Sequence, residues 1–317
     1  MSSASPSLTI AILGAGAWGS TLGILACQTG HTVRLWSRHS PHTLQETVAG
    51  ADVIISAVSM KGVRSVAMQT QAEEIAPHAI FVTATKGLDP DSGNETNLPL
   101  SPSQIWQRAF PNHPVVVLSG PNLSEEIQQG LPAATVVASA DLAAAETIQL
   151  ALSSPSFRVY TNSDVLGVEL GGILKNVIAI AVGTCEGLKL GTNAKAALVT
   201  RGLAEIIRIG AYWGAQPDTF YGLSGLGDLL ATCNSALSRN YQVGYGLAQG
   251  NSLQAVLANL KGTAEGINTT QVLVRLAEQQ QIAVPISQQV DRLLKGEITP
   301  EAAVEALMQR DYKPENL

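Results

Sequence analysis

Histidine is missing from most of this 317-residue chain. All five copies, His31, His39, His42, His78 and His113, lie at or before position 113. A proton relay built on a histidine from the second half is thereby excluded. Cysteine is scarce as well. Cys27, Cys185 and Cys233 are far apart and odd in number, which gives neither a disulfide framework nor a zinc-ligand spacing. They read as reduced core thiols of a cytoplasmic protein. Charge is sparse, at 14 % of residues, and the net charge is −6 with no basic tract. That argues against nucleic acid as a partner, because nothing is present to neutralise a run of phosphates. The leader MSSASPS has no basic residue, and the apolar run behind it is only strand-length, so a signal peptide is not expected. Residues 166–188 are apolar enough for a membrane span, but Glu169, Lys175, Glu186 and several glycines interrupt them. A buried helix is expected there, without stable membrane insertion.

What is present is apolar residues, at 45 %, and length enough for two domains. In the first half, short β-rich runs alternate with helical stretches. The runs are 8–14, 32–37, 52–58, 79–84, 115–119, 134–138 and 157–160. Helical stretches fall at 18–29, 61–71, 103–109, 122–129 and 141–151. This alternation predicts a doubly wound, mostly parallel α/β sheet, with ligands beyond the carboxyl ends of its strands. From about residue 161 the alternation stops, and 164–186, 193–213, 226–236, 239–249, 252–260, 267–280, 286–295 and 300–309 all read as helical. The expectation is a Rossmann-like domain over 1–160 and an all-α domain over 161–317.

The first run ends in Gly14-Ala15-Gly16-Ala17-Trp18-Gly19 and leads into a helix. Strand, glycine turn and helix in that order are what a dinucleotide needs. Gly14 permits the turn, Gly16 leaves the backbone open to a pyrophosphate, and Gly19 lets the helix pack on the strand. An acid that would bind a ribose 2′-hydroxyl is lacking at the end of the second strand. Arg38 stands there instead, and a guanidinium suits a 2′-phosphate. NADPH is therefore favoured over NADH, against the plainer reading of an exposed strand-end arginine. His39 either contacts the adenosine or is a solvated loop residue.

With histidine absent from the helical half, a proton for carbonyl chemistry must come from Lys, Asp, Glu or Tyr. Lys175 lies in an apolar stretch, LGGILKNVIAI at 170–180. Burial there would lower its pKa toward a useful range; snorkelling to the surface is the equal alternative. Gly171 and Gly172 leave room for a backbone or ligand. Lys86 follows a strand, Asp228 follows a glycine-rich turn, and Thr232 lies one helical turn later. Ser238-Arg239-Asn240 reads as a loop-to-helix junction with donors for an anion. Each has a bland reading as a cap or solvated residue. Together they suit a small phosphorylated substrate.

Several longer motifs occur in order: GAGAWGS at 14–20, ATKGL at 84–88, SGPN at 119–122 and GVELGGILKNVIAIAVG at 167–183. They continue with NAKAALVTRGLAE at 193–205, GLGDLLATC at 225–233, SRN at 238–240 and AEG at 264–266. From about Ile10 to Leu307 the chain resembles the NAD(P)-dependent glycerol-3-phosphate dehydrogenases. The resemblance implies reversible hydride transfer from NAD(P)H to dihydroxyacetone phosphate, feeding glycerophospholipid synthesis. It implies that Lys175 is the catalytic proton donor and acceptor. It places Lys86, Gly120, Asn122, Asp228, Thr232, Ser238, Arg239 and Asn240 at substrate positions. Gly14, Gly16, Ala17, Trp18, Gly19, Arg38, His39, Lys86, Ser124, Arg239, Thr263 and Glu265 fall at cofactor positions, with no metal. A homodimer through the helical domain is implied too. Two departures stand out: residues 40–50 form a shorter link than the family usually carries, and Asn122 replaces the more usual Ser or Thr. The rivals are another two-domain hydroxyacid dehydrogenase and a non-catalytic NADPH sensor.

Overall fold

The computed structural model describes residues 6–92, 98–311 and 314–315. Residues 1–5, most of the leader read above, lie outside them. The chain divides into two compact units. One comprises residues 1–86 and 101–169, the other 87–100 and 170–317.

The N-terminal unit carries seven strands among the described residues: β1 (Thr9–Leu13), β2 (Thr32–Trp36), β3 (Val53–Ser56), β4 (Ile80–Thr83), β5 (Val115–Ser119), β6 (Ala133–Ala138) and β7 (Phe157–Asn162). They lie in the order β2-β1-β3-β4-β5-β6-β7. Each of the seven β-rich runs is one strand. The pairs are parallel except β5 with β6. Residues 120–132 join those two and hold only the short helix α5 (Ser124–Gln128). The order reverses at β1, the switch point at which such sheets bind ligands.

Helices cover both faces. Ile10, Ile12, Val53, Ile55, Val82, Val116 and Leu118 form one face. They share a core with Leu22 and Leu25 of α1 (Ala17–Gln28) and with Ala145 and Ile148 of α6 (Leu142–Leu152). On the other face, Phe81 stacks on Trp106 of the helix α4 (Pro102–Ala109) and on its C-cap Phe110, with centroids 5.3 and 4.2 Å away. Alternation of period two along strands buried on both sides produces this arrangement. Residues 40–50 fold into a turn and one short helix, α2 (Leu44–Val48), that periodicity did not reveal. Its signal was a capping box, with Thr43 and Glu46 bonding each other's backbone N–H.

The second unit is helical from α7 (Val165–Gly187) through α8 (Gly191–Tyr212) to α14 (Pro300–Met308). α7 is long and apolar enough to cross a membrane, yet 83 % of its most apolar window is buried in the structure. Thr299 caps α14 through a hydrogen bond from Ala302 N–H, with Pro300 in its first turn, as the sequence pattern requires. Residues 87–100 group with this unit rather than with the strands flanking them. Asn268 donates to the Leu88 carbonyl at 2.7 Å, and Arg275 to the Pro90 and Ser92 carbonyls at 2.9 and 2.6 Å. The division after Glu169 also falls later than the expected change at 160/161, because β7 and the first turn of α7 stay with the sheet. Cys185 and Cys233 are buried thiols. Cys27 is exposed on α1, which corrects the expectation that all three lie in the core.

Candidate functional site

In the N-terminal unit the glycine turn sits at the carboxyl end of β1. Gly14 adopts φ +119°, and its N–H donates to the Trp36 carbonyl at 2.8 Å. Gly16 precedes α1, whose N-terminus has neither a side-chain cap nor an acid in its first turn. A methyl at Gly16 would meet nothing within 4 Å, whereas one at Gly19 would collide with the Gly14 carbonyl oxygen. So Gly16 is open ground and Gly19 is a packing glycine. Exposed Ala17 and half-buried Trp18 complete the first turn. Free N–H groups and a positive helix end fit the pyrophosphate of a dinucleotide. Arg38 and His39 are exposed in the turn just after β2, whose end is tied to the glycine turn by the Gly14–Trp36 bond.

Across the sheet, Lys86 lies three residues after β4, and its Nζ donates to the Gly120 carbonyl at 3.0 Å. Gly120 has φ +147°, and a side chain there would press on Thr135. Asn122 donates through Nδ2 to Thr135 Oγ1 at 3.0 Å, while its buried Oδ1 accepts from no group among the described residues. That leaves an acceptor for a ligand. Ser124 opens α5 and is half-buried.

In the helical unit Lys175 does not snorkel: it is 7 % exposed. Its Nζ donates to Asp228 Oδ1 at 2.6 Å and to Thr232 Oγ1, and Thr232 in turn donates to Asp228 at 3.2 Å. Asp228 and Thr232 occupy α9 (Asp228–Cys233), one turn apart. Burial, which favours the neutral amine, is opposed here by the carboxylate, which favours the ammonium. Gly171 makes the pairing possible. A Cβ on it would meet the Ser224 carbonyl at 2.9 Å, so its absence lets the turn leading into α9 lie directly on α7. The same burial pushes the neighbouring Cys233 thiol up to about 12.

Ser238 is the cap of α10 (Arg239–Ala248), accepting from Tyr241 N–H at 3.2 Å. The N–H groups of Arg239 and Asn240 precede that bond at the positive end of the helix. Asn240 is committed internally. Its Nδ2 donates to Asn176 Oδ1 and its Oδ1 accepts from Gly266 N–H, each at 2.9 Å. This chain ties α7 and α10 to α12 (Glu265–Gln279). Arg239 is exposed, and its Nη1 lies where a Cβ on Gly262 would come within 2.8 Å, so it packs against the loop that runs through Thr263 to Glu265, the first residue of α12. Thr263 is exposed and Glu265 half-buried. Asn176 is the member that composition alone undervalued: it stood out only as a second polar group on an apolar helix.

The C-terminal profile of the NAD-dependent glycerol-3-phosphate dehydrogenases matches residues 164–305, and the N-terminal profile matches 9–43 and 41–145. The chain belongs to this dehydrogenase family. Glycerol-3-phosphate dehydrogenase [NAD(P)+] of Nostoc sp. is 66 % identical over 97 % of this chain and 98 % of its own. That of Synechocystis sp. is 62 % identical over 96 % and 95 %. The crystal structure of glycerol-3-phosphate dehydrogenase from Coxiella burnetii superposes with a TM-score of 0.89 at 32 % identity, covering 96 % of this chain and 99 % of that one. An NAD(P)-dependent oxidoreductase of this family needs a dinucleotide cradle and a group to manage the proton of the alcohol. The open turn at Gly16 and the buried Lys175 cluster have the chemistry for these two tasks.

Proposed function

We propose that the protein is a glycerol-3-phosphate dehydrogenase that interconverts dihydroxyacetone phosphate and sn-glycerol 3-phosphate with NAD(P)H. The observation that carries this reading is the buried Lys175–Asp228–Thr232 cluster. When bound, the nicotinamide supplies the hydride for C2 of the ketone. Negative charge then grows on the C2 oxygen. The Lys175 ammonium stabilises that charge and gives up a proton to make the alcohol; in oxidation it takes the proton back. Asp228 and Thr232 orient the amine and balance its charge in a buried setting. Arg239, with the N–H groups at the start of α10, holds the phosphate, and Ser238 and Asn240 keep that turn in place. Lys86, Gly120 and Asn122 are assigned to the substrate side of the N-terminal unit. Gly14, Gly16, Ala17, Trp18, Gly19, Arg38, His39 and Ser124 are assigned to the dinucleotide, with Lys86, Arg239, Thr263 and Glu265 completing the cofactor contacts.

NADPH is the preferred donor in this reading, supported by Arg38 at the end of β2 where an acid would favour NADH. The product enters glycerophospholipid synthesis in the cytoplasm. The enzyme works as a homodimer through the helical unit, where α8 and α14 border an apolar groove of about 670 Å³ that includes Ala194, Ala197, Leu198, Leu307 and Met308. Met308 is 80 % exposed in the single chain, and a second copy would cover it. Sedimentation analysis tests the dimer. The decisive assay is reduction of dihydroxyacetone phosphate with NADPH and NADH side by side. Turnover with this ketone, faster with NADPH, is expected. Turnover only with a hydroxyacid's ketone, or none, refutes the assignment.

A further inference from the structure

Among the described residues, three hydroxyls lie buried without a hydrogen-bond partner at the carboxyl end of the N-terminal sheet: Ser56 Oγ, Thr83 Oγ1 and Ser119 Oγ. The three residues are 2, 1 and 2 % exposed. They share one face. Ser56 is the register partner of Thr83, Thr83 is the partner of Val117, and Ser119 lies two residues beyond Val117. A fourth unpartnered group, Trp106 Nε1, belongs to the helix covering this face. The Trp106 ring stacks on Phe81, two residues before Thr83 on the same side of β4. Since α4 carries the chain back from the carboxyl end of β4 to the start of β5, its first turn lies at the same end of the sheet. There the buried Glu169 carboxylate accepts from Ser103 N–H at 2.8 Å and from Ser103 Oγ at 2.5 Å. The carboxyl end of this layer is thus polar, beside the aromatic stack of Phe81, Trp106 and Phe110.

An unmade hydrogen bond in a buried site is costly, and four in one layer would take much of a domain's net stability. We propose that this layer holds ordered water, and that this buried hydration site braces the two loops carrying Lys86 and Gly120. Hydroxyls both donate and accept, and an indole N–H donates, so the groups present offer a water the two to four partners it needs. The bracing follows from chain position. Lys86 is three residues after Thr83, Gly120 directly follows Ser119, and the two loops meet in the 3.0 Å bond from Lys86 to Gly120. Thr85, two residues beyond the end of β4, bonds the Val58 carbonyl at 2.8 Å and so has a protein partner. The bracing half of the proposal rests on the assignment of Lys86 to the substrate; the hydration half does not.

Thr83→Val tests both halves, because valine keeps the shape and removes the hydroxyl. A hydrated site loses water bonds, so the melting temperature should fall by roughly 2–4 °C. The Michaelis constant for dihydroxyacetone phosphate should rise several-fold with little change in kcat, and Thr83→Ser should restore both. A dry layer gives the opposite sign: valine relieves an unpaired hydroxyl, and an unchanged or higher melting temperature overturns the hydration site. A lowered melting temperature with an unchanged Michaelis constant overturns the bracing. A high-resolution crystal structure of the unmodified protein should show water about 3 Å from Thr83 Oγ1; hydroxyls turned onto backbone carbonyls there would refute it. Melting and crystallography decide the hydration site even if the enzyme proves to act on a different ketone.

Discussion

Replacing Lys175 with methionine should damage turnover and stability for separable reasons. The side chain is buried, and its amine is the charge partner of Asp228 at 2.6 Å. Methionine fills nearly the same volume, so packing loss is small. Asp228, 2 % exposed, keeps the Thr232 hydroxyl at 3.2 Å but loses its cationic partner. Removing one member of a buried pair costs about 3–5 kcal/mol, because the remaining charge is uncompensated. For a unit of this size that is roughly 6–20 °C in melting temperature. Loss of the proton donor should separately lower kcat by about 10²–10⁴-fold. The double substitution Lys175→Met with Asp228→Asn separates the two effects. With no buried charge left, it should recover most of the melting temperature and none of the turnover. Thermal denaturation by circular dichroism, NADPH binding by fluorescence quenching and loss of NADPH absorbance give the three readouts. Near-normal turnover in the single variant would sink the catalytic assignment. A double variant no more stable than the single one would refute the charge argument.

Arg239→Ala should raise the Michaelis constant for dihydroxyacetone phosphate about tenfold or more, and an unchanged constant in steady-state assays would contradict the phosphate role. Arg38→Ala should weaken NADPH while sparing NADH; equal losses for both cofactors would remove the 2′-phosphate argument. Glu205 gives a test in pH. Its carboxylate is buried, accepts from Ile286 and Ser287 N–H at the start of α13 (Pro285–Leu294), and has its pKa raised chiefly by burial. A carboxyl whose folded pKa lies above the unfolded value of about 4.3 binds more protons in the native state. Its contribution to stability therefore falls as pH rises from that value through the raised one, then levels off. Urea unfolding across this window should show Glu205→Gln gaining on the unmodified protein as pH increases; a constant difference would rule the reasoning out.

Much of the architecture was legible because its signals are local. The run Thr9–Leu13 followed by Gly14, Gly16 and Gly19 specifies strand, turn and helix with no distant contact. Thr299-Pro300-Glu301 likewise announces α14. The short helix after Thr43 went unread although its capping box was written in four consecutive residues. The grouping of residues 87–100 with the helical unit had no local signal. It depends on Asn268 and Arg275 reaching backbone carbonyls some 180 residues away in sequence. The antiparallel step from β5 to β6 was likewise invisible, since residues 133–138 would read the same in either direction.

The sequence alone determined the seven strands, the helical second half, the glycine turn after β1 and the lack of histidine in the helical half. Periodicity, glycine placement and composition are properties of neighbouring residues. Whether Lys175 was buried or snorkelling was undecided at that level, since both readings satisfy an apolar helix carrying one amine. Tertiary structure decided it. Gly171 admits the turn before α9, and that turn delivers Asp228 to Lys175 across 53 positions of sequence. The same packing occupied both ends of the Asn240 amide with Asn176 and Gly266. Hydrogen bonds between distant segments depend on how helices pack, and a residue's neighbours in the chain do not carry that information.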